Sequence, residues 1–507
     1  MKALTELIGL ITKHKKKQIE ILGFGEASGS RYETFYELIA NRMVTTDDEA
    51  ARYFFGEDKD RTFTQYRNFR NQLFRRLVNS AFFIDLKKPM FNNAQAAAHN
   101  VRKNTAAARM LASRGARHSS LEIAEKTIKA ALKYELTYEI LDLARMLRHK
   151  YAYVAPDKKK WAYYEDLVSK CLRDLSYIEK AENYYYRIIN PYVFSRARQP
   201  TVNKKASAYL AELEKDLDQC DAFWFHFMYH SIAKLESVGS QDWERVVEKG
   251  KAALHFLEGR PSAVPPMKAN FLNMLVMAYT MLRRFDEAEA AFQKTEGLTQ
   301  RGTHNWFKSK EQGVVLYLHK QEYTKAYESF DTAKKNKRFQ HLAPTDIEIW
   351  NILEAHLKLL CALGKIEASS AGQKHTKLRP GKFLNDIPQF SKDKCGLNIP
   401  ILIVHAIMLL QLNRYEEAYD RMLALKKYAT RHLKAGEGTF RSYCFIKALI
   451  GIPAAAYDRK AAQAAAATYL EDMAKEEIQL VDASQEVEVM PYEHLWDMAM
   501  EALQAKA

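Results

Sequence analysis

Two short apolar stripes with almost nothing between them constrain this chain more than any other feature. Phe271, Leu275, Ala278 and Leu282 recur at helical spacing, with Tyr279 beside them. In the stretch that follows, MLRRFDEAEAAFQKTEG (Met281 to Gly297), Phe285, Ala288, Phe292 and Thr295 recur at steps of three, four and three. Only Arg283 and Arg284 stand between the stripes. Two short antiparallel helices joined by a tight turn there would bury both stripes against each other. Ala288 would let the two backbones approach closely, and Phe292 would fill the space one turn further on. Ala288→Leu should therefore overpack, whereas Glu289, off the stripe, reads as a surface residue.

The pattern recurs. VVLYLHKQEYTKAYESFDTAKK places Tyr323, Ala326, Phe330 and Ala333 at the same steps, with Tyr317 in the position of Tyr279. VHAIMLLQLNRYEEAYDRMLALKK repeats it with Tyr415, Ala418, Met422 and Leu425. These segments resemble tetratricopeptide repeats, whose helix-turn-helix unit carries a small residue early in its second helix, an aromatic four positions later and Ala three beyond that. FDEA and YEEA, just after the turn, are the most specific part, and YTKA is a weaker copy. The Trp usual near the start of the first helix, the Gly in its middle and the closing Pro are missing. Ala288 and Ala326 are 38 residues apart, and Ala326 and Ala418 are 92 apart, room for one degenerate unit and an insertion. The resemblance is clearest over residues 270–430. It implies an all-α fold, a right-handed α-α superhelix of irregular helix pairs, with Tyr279, Phe285, Ala288, Phe292, Tyr317, Tyr323, Ala326, Phe330, Ala333, Tyr415, Ala418 and Met422 as its structural signature.

Weaker units extend the series. AFWFHFMYHSIAKLESVGSQDWERVVEKGKAALHFL reads as a helix pair turning at Gly239, with Trp243, Val247, Gly250 and Ala253 on the second helix. SSLEIAEKTIKAALKY supplies Leu121, Ala124, Ile128 and Ala131, and IEIWNILEAHLKLLCALGK reads as a first helix whose partner has degraded. Together they predict seven to nine pairs over residues 105–450, stacked because no single pair can bury its apolar face alone. Residues 1–104 form a divergent helical region, and 451–507 an acidic helical cap that includes AAQAAAATYLEDMAKEEIQ and a last helix around Trp496. Three segments read as breaks: EGRPSAVPPM (258–267), QPTVNKKAS (199–207) and the long basic stretch 369–396.

Composition agrees with helices and a reducing compartment. Gly (19) and Pro (13) are scarce for 507 residues, which disfavours turn-rich β folds. Cys171, Cys220, Cys361, Cys395 and Cys444 are isolated and odd in number, so neither a disulfide framework nor a zinc motif is expected. The opening MKALTELIGLITKHKKK has its basic run after the apolar stretch, unlike a secretory signal. No apolar run is long enough to span a membrane, and the expected location is the cytoplasm. Charge is uneven. Residues 51–200 hold 29 Lys and Arg against 15 Asp and Glu, residues 301–450 hold 25 against 14, and 451–507 reverse to 4 against 11. A net +15 favours weak, salt-sensitive attraction to polyanions and says nothing about fold.

In the N-terminal region, TTDDEAARYFFG opens with a capping-box pattern, Thr46 to Glu49, and closes on Gly56. TFTQYRNFRNQLFRRLVNSAFF follows as a long helix with Tyr66, Phe69, Leu73 and Leu77 on one stripe. A DNA-reading helix-turn-helix is disfavoured on two grounds. The connection from Gly56 to Phe63 exceeds the three or four residues of that motif, and Arg67, Arg70, Arg75 and Arg76 spread around most of the helix. A helical cap over the first repeat is the favoured reading.

Chemistry is sparse. GFGEASG (23–29) is not a dinucleotide-binding fingerprint and reads as a loop. His226 and His230, one turn apart in HFMYH, have metal-ligand spacing without a third ligand, and read as histidines packed on aromatic faces. The aromatic clusters WAYY (161–164) and ENYYYRIINPY (182–192), near Lys158 to Lys160 and Arg187, offer base stacking or, more simply, repeat core. No catalytic, cofactor-binding or metal-binding residues are assigned. The expected function is a non-enzymatic interaction scaffold or adaptor for an acidic peptide or protein partner. The alternative is a nucleic-acid-associated regulator, with basic N-terminal helices touching phosphates and the repeats sensing a partner.

Overall fold

The computed structural model describes residues 30–56, 59–81, 93–194, 199–240, 242–366, 398–432, 440–476 and 488–503, together with Thr5 and Ile8. Among these the chain is 83% helix, in 20 helices without a strand. GFGEASG, the stretch 369–396 and Cys395 lie outside the described residues. The chain divides into two compact units, Met1–Tyr134 and Glu135–Ala507.

The first unit contains α1 (Arg31–Ala40), α2 (Asp47–Phe55), α3 (Lys59–Ala81), α4 (Asn93–Ser113) and α5 (Arg117–Lys133). The capping box forms as written: the Thr46 side chain accepts from the Glu49 N–H, and the Glu49 carboxylate accepts from the Thr46 N–H. Phe35 of α1 is fully buried among Phe54, Tyr66 and Phe69, which brings the stripe of α3 onto α1 and α2. Helix α3 begins at Lys59 rather than Phe63, so only three residues, Gly56 to Asp58, connect it to α2. Helices α4 and α5 pack as a hairpin, with Leu121, Ala124, Ile128 and Ala131 buried. Helix α4 runs continuously through residue 104.

The second unit is a succession of helix pairs. It comprises α6 (Thr137–His149), α7 (Lys158–Phe194), α8 (Gln199–Leu213), α9 (Phe223–Ser240), α10 (Trp243–Leu257), α11 (Pro265–Met281), α12 (Phe285–Leu298), α13 (His304–His319), α14 (Tyr323–Lys334), α15 (Pro344–Ala362), α16 (Asn398–Gln411), α17 (Tyr415–His432), α18 (Phe440–Ala454), α19 (Arg459–Lys475) and α20 (Tyr492–Ala502). Six pairs, α6–α7, α9–α10, α11–α12, α13–α14, α16–α17 and α18–α19, pack helix on helix, and first helices also meet their successors, as α11 meets α13 and α13 meets α15.

The tight turns share one geometry. Arg283, Gln321 and Asn413 adopt left-handed φ of 56°, 62° and 57°. Behind them the N–H groups of Arg284, Glu322 and Arg414 donate to the carbonyls of Tyr279, Tyr317 and Leu409 at 2.8–2.9 Å. This closes the last helical turn as a glycine-capped end would, although none of the three carries glycine.

Several sequence expectations change. QPTVNKKAS is not a loop but the start of α8; Pro200 is tolerated in a first turn, and Ala206, Leu210 and Leu213 of the same helix are buried. The 258–267 break survives only to Val264, since Pro265 and Pro266 occupy the first positions of α11, where a missing N–H costs nothing. Gly239 lies within α9, its carbonyl accepting from Asn203 Nδ2 of α8, and the turn falls just beyond it. A mid-helix glycine is present after all in α13: a Cβ on Gly313 would meet the Phe292 ring at 2.6 Å, so any side chain there would force that ring to move.

Candidate functional site

The signature residues occupy a repeated contact. Ala288, Ala326, Ala333 and Ala418 are fully buried, and Phe292, Phe330, Met422, Tyr279 and Tyr317 are buried with them. The aromatics opening each second helix, Phe285, Tyr323 and Tyr415, are only half-buried. Each mid-helix aromatic meets the next pair: Phe292 lies edge-on to Tyr317 with ring centroids 6.0 Å apart, and Phe330 lies 5.7 Å from Trp350. Tyr415 instead meets the tilted ring of Tyr457 at 4.4 Å, and the Tyr457 hydroxyl donates to the Tyr415 carbonyl at 2.8 Å.

Glu289 is not the surface residue its spacing predicts. Its carboxylate accepts from Tyr317 Oη at 3.1 Å, Lys320 Nζ at 2.7 Å and Lys325 Nζ at 3.3 Å, with 18% of the side chain exposed. The Lys320 hydrogen bond is the leading influence holding its pKa below the usual carboxylate range. The i+1 position faces away from its own stripe but toward the next pair, where Lys320 of the α13–α14 turn and Lys325 of α14 supply cations.

A second polar group stands between first helices. Lys234 of α9 donates to the side-chain oxygen of Asn270 at 2.6 Å and to its carbonyl at 3.3 Å, both on α11. Burial, and then repulsion from Lys308 of α13, push the Lys234 ammonium down to about 8. Nearby on the same helices, Asn273 and Ser309 are buried, and among the described residues the Asn273 Oδ1 and Ser309 Oγ have no hydrogen-bond partner. Lys234, Asn270 and Lys308 lie 36 to 74 residues apart, and no local motif connects them.

The C-terminal end of the unit is built differently. Helix α20 returns onto α16, α18 and α19. The guanidinium of Arg441, only 4% exposed, clasps Glu488 through Nε and Nη2 at 3.0 and 2.9 Å and reaches Glu493 at 2.9 Å. Tyr492 stacks on Phe445 at 4.5 Å, Gln321 meets His494 at 2.8 Å, and Lys365 pairs with Glu501 at 2.8 Å. The alanine-rich stretch expected to cap this end is α19, second member of the pair α18–α19.

The remaining candidates separate. His226 Nε2 sits 2.8 Å from the Cys220 carbonyl, and both His226 and His230 pack on Phe256; burial depresses His230 to about 4. Among the described residues no group of three or more His, Cys, Asp or Glu is placed to hold a metal ion. Cys171, Cys220, Cys361 and Cys444 are free thiols. The aromatic clusters split: Tyr164 stacks on Tyr151 and Tyr184 on Tyr209, while Trp161, Tyr163 and Tyr186 are exposed. Among the described residues no helix is long and apolar enough to cross a membrane. Compared with known protein families, with curated proteins and with solved structures, the chain matches none.

Proposed function

We propose that the chain is a non-enzymatic interaction scaffold or adaptor of the cytoplasm, its helix pairs stacked as a tetratricopeptide-like right-handed superhelix that receives an acidic peptide or protein surface. The observation that carries this reading is Lys234. The Lys234 ammonium, hydrogen-bonded between α9 and α11 and repelled by Lys308 of α13, which itself pairs with Glu311 at 2.6 Å, gains from an incoming carboxylate that pairs with its charge. Stacked helix pairs are characteristically binding surfaces, and the four free thiols agree with a reducing compartment.

The test is affinity capture from native lysate with nuclease present, repeated with Lys234→Met. The reading expects a protein partner that survives nuclease, binds through an acidic segment and is lost or weakened at least tenfold in the variant. Capture that vanishes with nuclease, or is indifferent to Lys234→Met, would overturn it.

A further inference from the structure

Helix α3 sorts its arginines in a way its sequence conceals. Arg70 turns toward α2, its Nε 3.7 Å from Asp47, and Arg76 lies over the Tyr32 ring at 4.1 Å. Arg67 and Arg75 remain exposed, without an ion pair or hydrogen bond among the described residues. They share a row with Asn71 and Asn79 at four-residue steps, and Asn68 sits beside it. From Thr64 to Ser80 the helix contains no carboxylate. This face is opposite the buried stripe Tyr66, Phe69, Leu73 and Leu77.

We propose that this face of α3 reads duplex DNA from the major groove. Both sequence arguments against such a role fall with the structure. The connection from α2 is three residues, within the span of a helix-turn-helix, and opens on Gly56 with φ +87°. The arginines do not encircle the helix, because two are spent on internal contacts. The exposed chemistry is specific: guanidinium forks match the acceptor pair of guanine, and carboxamides match the donor–acceptor pair of adenine. Asparagine is among the weaker helix formers, so three of them on a merely solvated face would cost helix stability without return. Tyr66 Oη donates to Asp47 at 2.5 Å, which fixes α3 against α2 and presents the row rigidly. A helix fits the major groove of B-form DNA, whereas that of A-form RNA is too narrow to admit side chains. This role is independent of the acidic partner proposed for the second unit.

The experiment is selection of the full-length chain on a pool of random duplex DNA, followed by fluorescence anisotropy on the enriched sequence near physiological salt. We expect a short enriched motif. Arg67→Ala with Arg75→Ala should weaken binding to it at least tenfold, and Asn71→Ala should relax preference at one base position. Arg67→Lys with Arg75→Lys keeps the charge but removes the bidentate forks, so it should lose the motif while retaining non-specific binding. Failure to enrich a motif, unchanged motif binding by the alanine pair, or a preference for duplex RNA over duplex DNA would each overturn the proposal.

Discussion

The pairs α11–α14 and the pairs α16–α19 are built from the same hairpin, yet they solve the problem of the first-helix face in opposite ways. In the earlier stretch, α11 and α13 carry Asn270 and Lys308, Asn270 accepting from Lys234 of the preceding α9, and Glu289 of α12 ties successive pairs together. In the later stretch, α16 is apolar nearly all round, with buried residues from Ile399 to Leu410, and α20 closes over it. A helix apolar on every side must be covered. The chain covers it with its own C-terminal segment, locked by a buried guanidinium between two glutamates. The lesson is that a helix pair of this kind is completed either by polar ties to its neighbours or by a C-terminal helix laid over it.

That contrast can be broken experimentally, beginning with the lid. Arg441→Met leaves Glu488 buried without its cation and should destabilise the protein by about 3–5 kcal/mol. Chemical denaturation measures it, and a loss below about 1 kcal/mol would mean that the clasp does not hold α20.

Acid should weaken both stretches. His319, His356 and His405 are buried on α13, α15 and α16, and desolvation pushes them down to about 3, 4 and 4. Each is neutral when folded, whereas the unfolded chain takes up protons near pH 6.5. The unfolded state therefore binds more protons below that pH, and stability should fall from about pH 6.5 toward pH 4, by up to about 1.4 kcal/mol per pH unit for each histidine. Thermal melts at pH 7 and pH 5 test this; equal stability at both would show the histidines to be charged in the fold.

The hairpin itself sets the next magnitude. Ala288 is fully buried where α12 meets α11, so Ala288→Leu should overpack and cost about 1–3 kcal/mol. A variant that melts with the wild type would refute this pairing.

Smallest is the tie between pairs. Glu289→Gln keeps the shape but loses charge facing Lys320 and Lys325, at a cost of about 1 kcal/mol. Since the folded pKa of Glu289 is depressed, the difference from wild type should be present at neutral pH and fade as acid protonates the carboxylate in both states. A difference that is unchanged by acid would exclude the charge as its source.

Much of the hairpin architecture was legible in the residues. Steps of three and four placed Ala288, Ala326 and Ala418 in the core, and two intervening arginines implied a tight turn. The 199–207 segment misled because Pro and Asn signal loops, although Pro fits a first helical turn. The turns at Arg283 and Gln321 carried no glycine to announce their left-handed residue.

What periodicity determines is what lies within reach along one helix, since residues three and four apart share a face. It settled the helices, their buried stripes and the hairpins. It could not settle which stripe faces which neighbour, because that depends on how pairs stack. Only the tertiary structure placed Lys234 beside Asn270 and Lys308, made Glu289 a bridge, and returned α20 onto α16. It also divided four arginines of α3 into two held within the unit and two facing outward. These arrangements join side chains that the sequence separates by up to 173 residues, as Gln321 and His494 show, and no local spacing encodes them.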